Sequence, residues 1–87
     1  MSDFKVGDYV KWKSQANGSY TTKTGVVLEI VYPGQVPMEV CTKYVYYTRL
    51  FDDIYPVKSI RYIVLVKNTE RQHGKIYMPL TSLLEPA

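Results

Sequence analysis

A cysteine thiol beside a histidine imidazole makes an activated nucleophile, and this chain of 87 residues carries one of each, Cys41 and His73. Nothing in their spacing brings them together. Cys41 stands between Val40 and Thr42, where a lone cysteine reads as a small buried hydrophobe. His73, next to Gly74, reads as a solvated loop residue. Two such side chains fall short of the about four ligands that a structural zinc needs. Asp52 and Asp53 are neighbours that would point apart on a strand, and they lack the alternating carboxylates of a calcium loop. The five glycines are scattered, so no Gly-rich loop forms a phosphate cradle. No catalytic residue, metal ligand or cofactor is assigned, and the chain is expected not to be an enzyme.

Two other constellations point to binding. Tyr44-Val45-Tyr46-Tyr47 is followed by Arg49 and Phe51. Tyr and Arg are enriched where interfaces concentrate their energy. On a strand, successive side chains face opposite sides, so these rings cannot all point inward. Exposed, Tyr44, Tyr46, Tyr47, Arg49 and Phe51 would form a protein-contact or self-association surface. Buried, they would form a lid. Both readings stand. The second constellation interleaves aromatic and basic residues. Tyr9, Lys11 and Lys13 share a face, Lys23 lies across a hairpin loop, and Arg61 and Lys67 share the less apolar face of a later strand, with Arg71 and Lys75 beyond. Tyrosines that stack bases beside cations that meet phosphates hold single-stranded nucleic acid. Against this, Lys11 and Lys13 would serve equally to solubilise the outer face while Val10 and Trp12 fill the core. Asp8, Glu29, Asp52, Asp53 and Glu70 also interrupt a phosphate track.

The elements that position these residues are mostly strands. Lys23 to Val31 is apolar and β-branched, the composition of a central strand, with Gly25 marking a bend or bulge. Ahead of it, Tyr9 to Lys13 alternates, with Val10 and Trp12 on one face. The polar stretch Ser14 to Thr22 reads as a flexible hairpin loop around Asn17-Gly18 rather than a tight turn. In Ser59 to Lys67, Ile60, Tyr62, Val64 and Val66 make a fully apolar face. Asn68 to Gly74 reads as a polar loop, Lys75 to Met78 as a strand, and Pro79 to Glu85 as a 3₁₀ turn leading to a short closing strand. Residues 35–58 conflict: Val40, Tyr44, Tyr47, Phe51 and Ile54 keep helical spacing, but the residue types prefer strands. An extended or irregular insertion with a short helical turn is the favoured reading.

Length allows one domain, residues 1–87, burying ~60–65% of its unfolded surface. A formal net charge of +3 permits an acidic partner without requiring one. Nine of the residues are Tyr, which suits half-exposed sheet surfaces. A single cysteine makes no internal disulfide, the N-terminus has no signal-peptide pattern, and no stretch approaches the ~20 apolar residues of a membrane span. Cytoplasmic location and no membrane contact are expected.

Phe4 to Trp12 with its Gly7-Asp8 turn, then Thr24 to Ile30, resembles the opening of SH3-like barrels of the Tudor and KOW kind. Tyr62 to Val66, Lys75 to Met78 and Pro79 to Leu84 are similar to the closing part of small bacterial and phage proteins of this sort, a hypervirulence-associated Tudor-like family being the nearest. The resemblance covers residues 4–32 and 59–85; residues 35–58 depart from the minimal barrel. It implies an all-β fold: a small SH3-like β-barrel of about five strands with a long insertion (35–58) and a terminal 3₁₀ turn. It further implies a binding role without choosing the ligand.

The first expectation is therefore a non-catalytic module contacting another protein through the insertion, an inhibitor or adaptor of a phage or mobile element. The alternatives are a nucleic-acid-binding barrel using Tyr9, Lys11, Lys13, Lys23, Arg61 and Lys75, and a structural subunit of a larger assembly. Homo-oligomerisation is left open.

Overall fold

A computed structural model describes residues 4–16, 18–67 and 74–87. Asn68 to His73, including Glu70 and Arg71, fall outside the described residues, so the expectations placed on them are not addressed. The chain is nearly all β. Its strands are β1 (Tyr9–Ala16), β2 (Ser19–Val31), β3 (Thr48–Arg49), β4 (Arg61–Val66), β5 (Lys75–Tyr77) and β6 (Glu85–Pro86). They form one six-stranded sheet in the order β3-β5-β4-β2-β1-β6. A single helical turn, α1 (Pro37–Val40), and a 3₁₀ turn, Thr81–Leu83, complete it.

β2 organises the sheet. Its first half pairs antiparallel with β1, from Ala16↔Ser19 to Tyr9↔Val26, and its second half pairs antiparallel with β4, from Val26↔Leu65 to Val31↔Arg61. The β1–β2 connection is consequently the two residues 17–18, not the long flexible loop expected from Ser14 to Thr22. Gly18 has a φ of +78°, the left-handed backbone that a tight hairpin turn requires. Backbone pairing and the left-handed Gly18 carry the ribbon here, where the side chains offer no continuous apolar face.

Gly25 serves a different end from the one expected. The irregularity in β2 falls between Val27 and Glu29, with Leu28 as the extra residue. Gly25 is needed instead for close approach: a Cβ there would collide with the Leu65 carbonyl oxygen and lie 2.7 Å from Val64 Cγ1. The extra residue shifts parity, so Val27 and Ile30 pack on one side of the sheet while Leu28 and Val31 pack on the other.

Two cores result. Val10, Trp12, Val27, Tyr62 and Val64 form the inner one, closed at the chain ends by Phe4 and Leu84. Phe4 meets Tyr62 edge to face at 5.4 Å, and the Tyr62 hydroxyl accepts the Phe4 N–H at 3.3 Å. The fully apolar face expected for Ile60, Tyr62, Val64 and Val66 is this one. On the outer side, Val31, Ile63, Ile76 and Met78 are buried beneath residues 35–58. Arg61, Ile63 and Leu65 are therefore not a solvent face; the insertion covers it.

At the start of the 3₁₀ turn, Thr81 donates its hydroxyl to the Ile60 carbonyl at 2.7 Å. β6 then returns beside β1 at Val10↔Pro86 and Lys11↔Glu85. Among the described residues, no helix is long and apolar enough to cross a membrane.

Candidate functional site

The insertion is fastened at its base. Gly34 donates its N–H to the Val57 carbonyl at 2.9 Å, and Val57 donates to Gln35 at 3.0 Å, so both ends of the segment meet on one short ladder. Gln35 also accepts the Tyr32 N–H through its side chain at 2.8 Å. Pro37 opens α1, the first-turn position where its missing N–H costs nothing. Beyond α1 the chain advances in tight turns, with Tyr44 N–H bonded to the Cys41 carbonyl at 3.0 Å and Tyr47 N–H to the Tyr44 carbonyl at 3.3 Å. It then runs parallel to β5 as β3, with Thr48 and Leu50 donating to Gly74 and Ile76 at 3.0 Å each.

This path explains the spacing of the apolar residues. Each turn returns the chain to the sheet, so Val40, Tyr44, Tyr47 and Phe51 all pack on the outer core without a continuous helix. Ile54, which completes the helical pattern on paper, is exposed. Cys41 is buried as a free thiol, in keeping with its expected role as a small hydrophobe.

One polar cluster locks the segment down. Glu29 projects from β2 toward the insertion, and its Oε1 accepts the Tyr44 hydroxyl at 2.6 Å and pairs with Lys43 Nζ at 2.6 Å. The Lys43 hydrogen bond, then that of Tyr44, holds the Glu29 carboxyl below its ordinary value against the opposing effect of burial. Burial, then the Glu29 hydrogen bond, raises the Tyr44 phenol. Glu29 raises Lys43 in turn, through the hydrogen bond first and its charge second. The Tyr44 and Tyr47 rings stack at 6.2 Å with 30° between their planes.

The residues expected to contact protein therefore divide. Tyr44, Tyr47 and Phe51 lie half-buried against the sheet, whereas Tyr46 and Arg49 face solvent. Arg49 Nε is engaged with the Phe51 carbonyl at 2.9 Å. Between the lid tyrosines and the sheet edge runs an open groove of about 510 Å³, with Tyr44, Val45, Tyr47, Arg49 and Ile76 in its walls. Val45, in these walls, is 78% exposed, and its neighbour Tyr46 is 79% exposed. Val45 stands in the tyrosine cluster but not among the expected contact residues; Leu50 and Tyr55, also exposed, are not among them either. The signal available was turn chemistry: residues between contact points of a lid must point away from it.

The six residues considered for nucleic acid do not form one surface. Tyr9, Lys11 and Lys13 share the outer face of β1 and are exposed. Lys23 lies on the opposite face of the ribbon, its ammonium 5.3 Å from the Tyr77 ring centroid. Lys75 alternates with Ile76 on β5 and is exposed at the inner-face parity of Tyr77. Arg61 is half-buried and donates through Nη2 to the carbonyls of Met78 at 2.8 Å and Pro79 at 3.3 Å. These bonds tie β4 to the chain just after β5.

Among the described residues, no three His, Cys, Asp or Glu side chains gather as metal ligands. Compared with known proteins, the chain matches no family model, no curated protein and no solved structure.

Proposed function

We propose that this chain is a non-catalytic binding module, an SH3-like β-barrel that contacts another protein through residues of its insertion. The barrel reading draws support from the meander β1-β2-β4-β5 and the return of β6 to β1 after a 3₁₀ turn. The buried, unpaired Cys41 fits a reducing compartment such as the cytoplasm.

The observation that carries the binding role is the exposure of Val45 and Tyr46 on a segment that is otherwise fastened on three sides. An exposed tyrosine on a fastened stretch of backbone, next in sequence to a residue that lines an open groove, has the character of an interface anchor. Ile54 and Tyr55 are further exposed apolar residues of the same insertion.

A photo-crosslinking residue placed at position 46, with another at position 20 as control, tests this in the producing cell. A discrete protein adduct at position 46 and none at position 20 is the expected result. No adduct at position 46, or the same adducts at both, overturns it.

A further inference from the structure

We propose that the outer face of the β1–β2 ribbon, together with the groove between Tyr9 and Lys67, is a platform for single-stranded nucleic acid. This surface is separate from the insertion, and its test does not depend on the protein-contact role.

Directly opposed residues of an antiparallel pair project on the same face. The register opposes Tyr9 to Val26, Lys11 to Thr24, Lys13 to Thr22 and Gln15 to Tyr20. Tyr9, Lys11, Lys13 and Tyr20 therefore line one face, with both tyrosines well in solvent at 68% and 71% exposure. Tyr20 was not among the residues picked out by sequence. The rows carrying the two rings lie ~20 Å apart along the strands, with the lysine rows between them at ~7 Å intervals. At the Tyr9 end the face dips into a groove of about 430 Å³, floored by Thr24, Gly25 and Val26 and bounded by Leu65 and Lys67. Gly25 contributes only backbone to this floor, where β2 lies close to β4.

The chemistry of this face suits one kind of partner. Rings stack unpaired bases, and the interspersed ammonium groups meet a phosphodiester backbone. Among the described residues, neither Lys11 nor Lys13 has an ion-pair partner. The acid nearest by register is Glu85, across from Lys11; it lines one small pocket with Lys11 and Lys13 and, among the described residues, makes no ion pair with either. Asp8, the residue before Tyr9, is turned to the Lys5 N–H, which it accepts at 2.9 Å. Away from Val26 and Leu65 in the groove, the face carries rings, cations and threonines, a chemistry closer to that of a base-stacking surface than of an apolar protein contact.

Fluorescence polarisation with labelled oligo-dT, oligo-U and a dT·dA duplex, at low salt and then across a salt series, tests the proposal. One or both single strands should bind, with duplex at least tenfold weaker; the ratio of oligo-dT to oligo-U assigns the sugar. Three phosphate contacts give a slope of log affinity against log salt of about −2, and Lys13→Ala should reduce its magnitude by about 0.7. Tyr9→Ala should weaken binding roughly 5- to 150-fold without changing that slope. Lys23→Ala, on the opposite face, should change nothing beyond about twofold. Should Tyr9→Ala lower the melting temperature, Tyr20→Ala carries the same expectation.

Absence of binding at low salt overturns the proposal. So does duplex affinity equal to that of single strands, or loss on Lys23→Ala as great as on Lys13→Ala. Displacement by poly-glutamate at equal charge concentration, with Tyr9→Ala indifferent, would assign the face to an acidic peptide instead and equally overturns it.

Discussion

Tyr44 donates its phenolic hydrogen to Glu29 at 2.6 Å, joining the insertion to the C-terminal end of the longest strand. A carboxylate on an otherwise apolar stretch of β2 would be costly to cover without a partner. Here it receives two donors, Lys43 and Tyr44, and becomes the fastening for the segment that covers it.

This cluster makes stability depend on pH at both ends of the scale. The folded Glu29 carboxyl titrates below its ordinary value of 4.5, so its contribution is complete above that pH and is lost as pH falls through the folded value. The Tyr44 phenol titrates above its ordinary 10.0, so its contribution is complete below that pH and is lost as pH rises through the folded value. Melting temperature followed from pH 7 down to ~2 should decline more steeply in the parent than in Glu29→Gln, whose curve lacks this group. Parallel acid limbs in the two proteins would show that the pair contributes nothing.

Removing the phenolic hydroxyl alone isolates the hydrogen bond. Tyr44→Phe keeps the ring against Tyr47 and should cost ~0.5–1.5 kcal/mol in urea unfolding. A double-mutant cycle with Glu29→Gln should show coupling; additive losses would mean that the two side chains act independently.

The lid separates neighbouring tyrosines by their work. Tyr46→Ala should change unfolding free energy by less than ~0.5 kcal/mol, as exposed substitutions do. Tyr47→Ala removes a stacked, half-buried ring and should cost ~1–3 kcal/mol. Equal losses at the two positions would contradict the division of the insertion into inward and outward rings.

Gly25→Ala should destabilise the chain by ~1–3 kcal/mol, because the added methyl meets the Leu65 backbone, which cannot rotate aside as a side chain can. Amide exchange should accelerate at Leu65 and Val66 before the rest of β4. A neutral effect would mean that β2 and β4 can part at little cost.

Cys41 supplies a reporter for opening of the insertion. Buried in the folded state, its thiol should react with a disulfide reagent far more slowly than in urea-unfolded protein. Glu29→Gln should accelerate that reaction without full unfolding. Labelling at the unfolded rate in the native parent would show that the segment does not seal the sheet.

The inner half of the fold was legible in residue order, and the outer half much less so. Ile60, Tyr62, Val64 and Val66 alternate cleanly because water lies beyond neither end of that face, only core. Ile63 and Leu65 blur the alternation because a second cover, invisible in local sequence, buries them too. The distal half of the β1–β2 ribbon left no apolar alternation: Ser19, Thr21 and Thr22 are polar on both faces, and only the Asn-Gly pair in the sequence signals a turn. In the insertion, the four-three-four spacing of Val40, Tyr44, Tyr47 and Phe51 marked the packing residues correctly but suggested a helix. Successive tight turns return to a surface at the same intervals as helical turns do, so spacing alone does not tell them apart. Glu29 between Leu28 and Ile30 was the one local clue to the fastening, since a charge in such a run must find donors.

The short ladder joining Gly34 and Gln35 to Val57 brings the two ends of the insertion together independently of what lies between them. A cassette with adjacent ends can be lengthened, shortened or exchanged without rethreading the sheet, because the closure entropy changes only slowly with loop length. Its underside is not free in the same way, since Val31, Ile63, Ile76 and Met78 require an apolar ceiling. Variation in this chain is thereby channelled to the outward positions of the cassette, which makes residues 35–58 a natural site for grafting new specificities onto an unchanged frame.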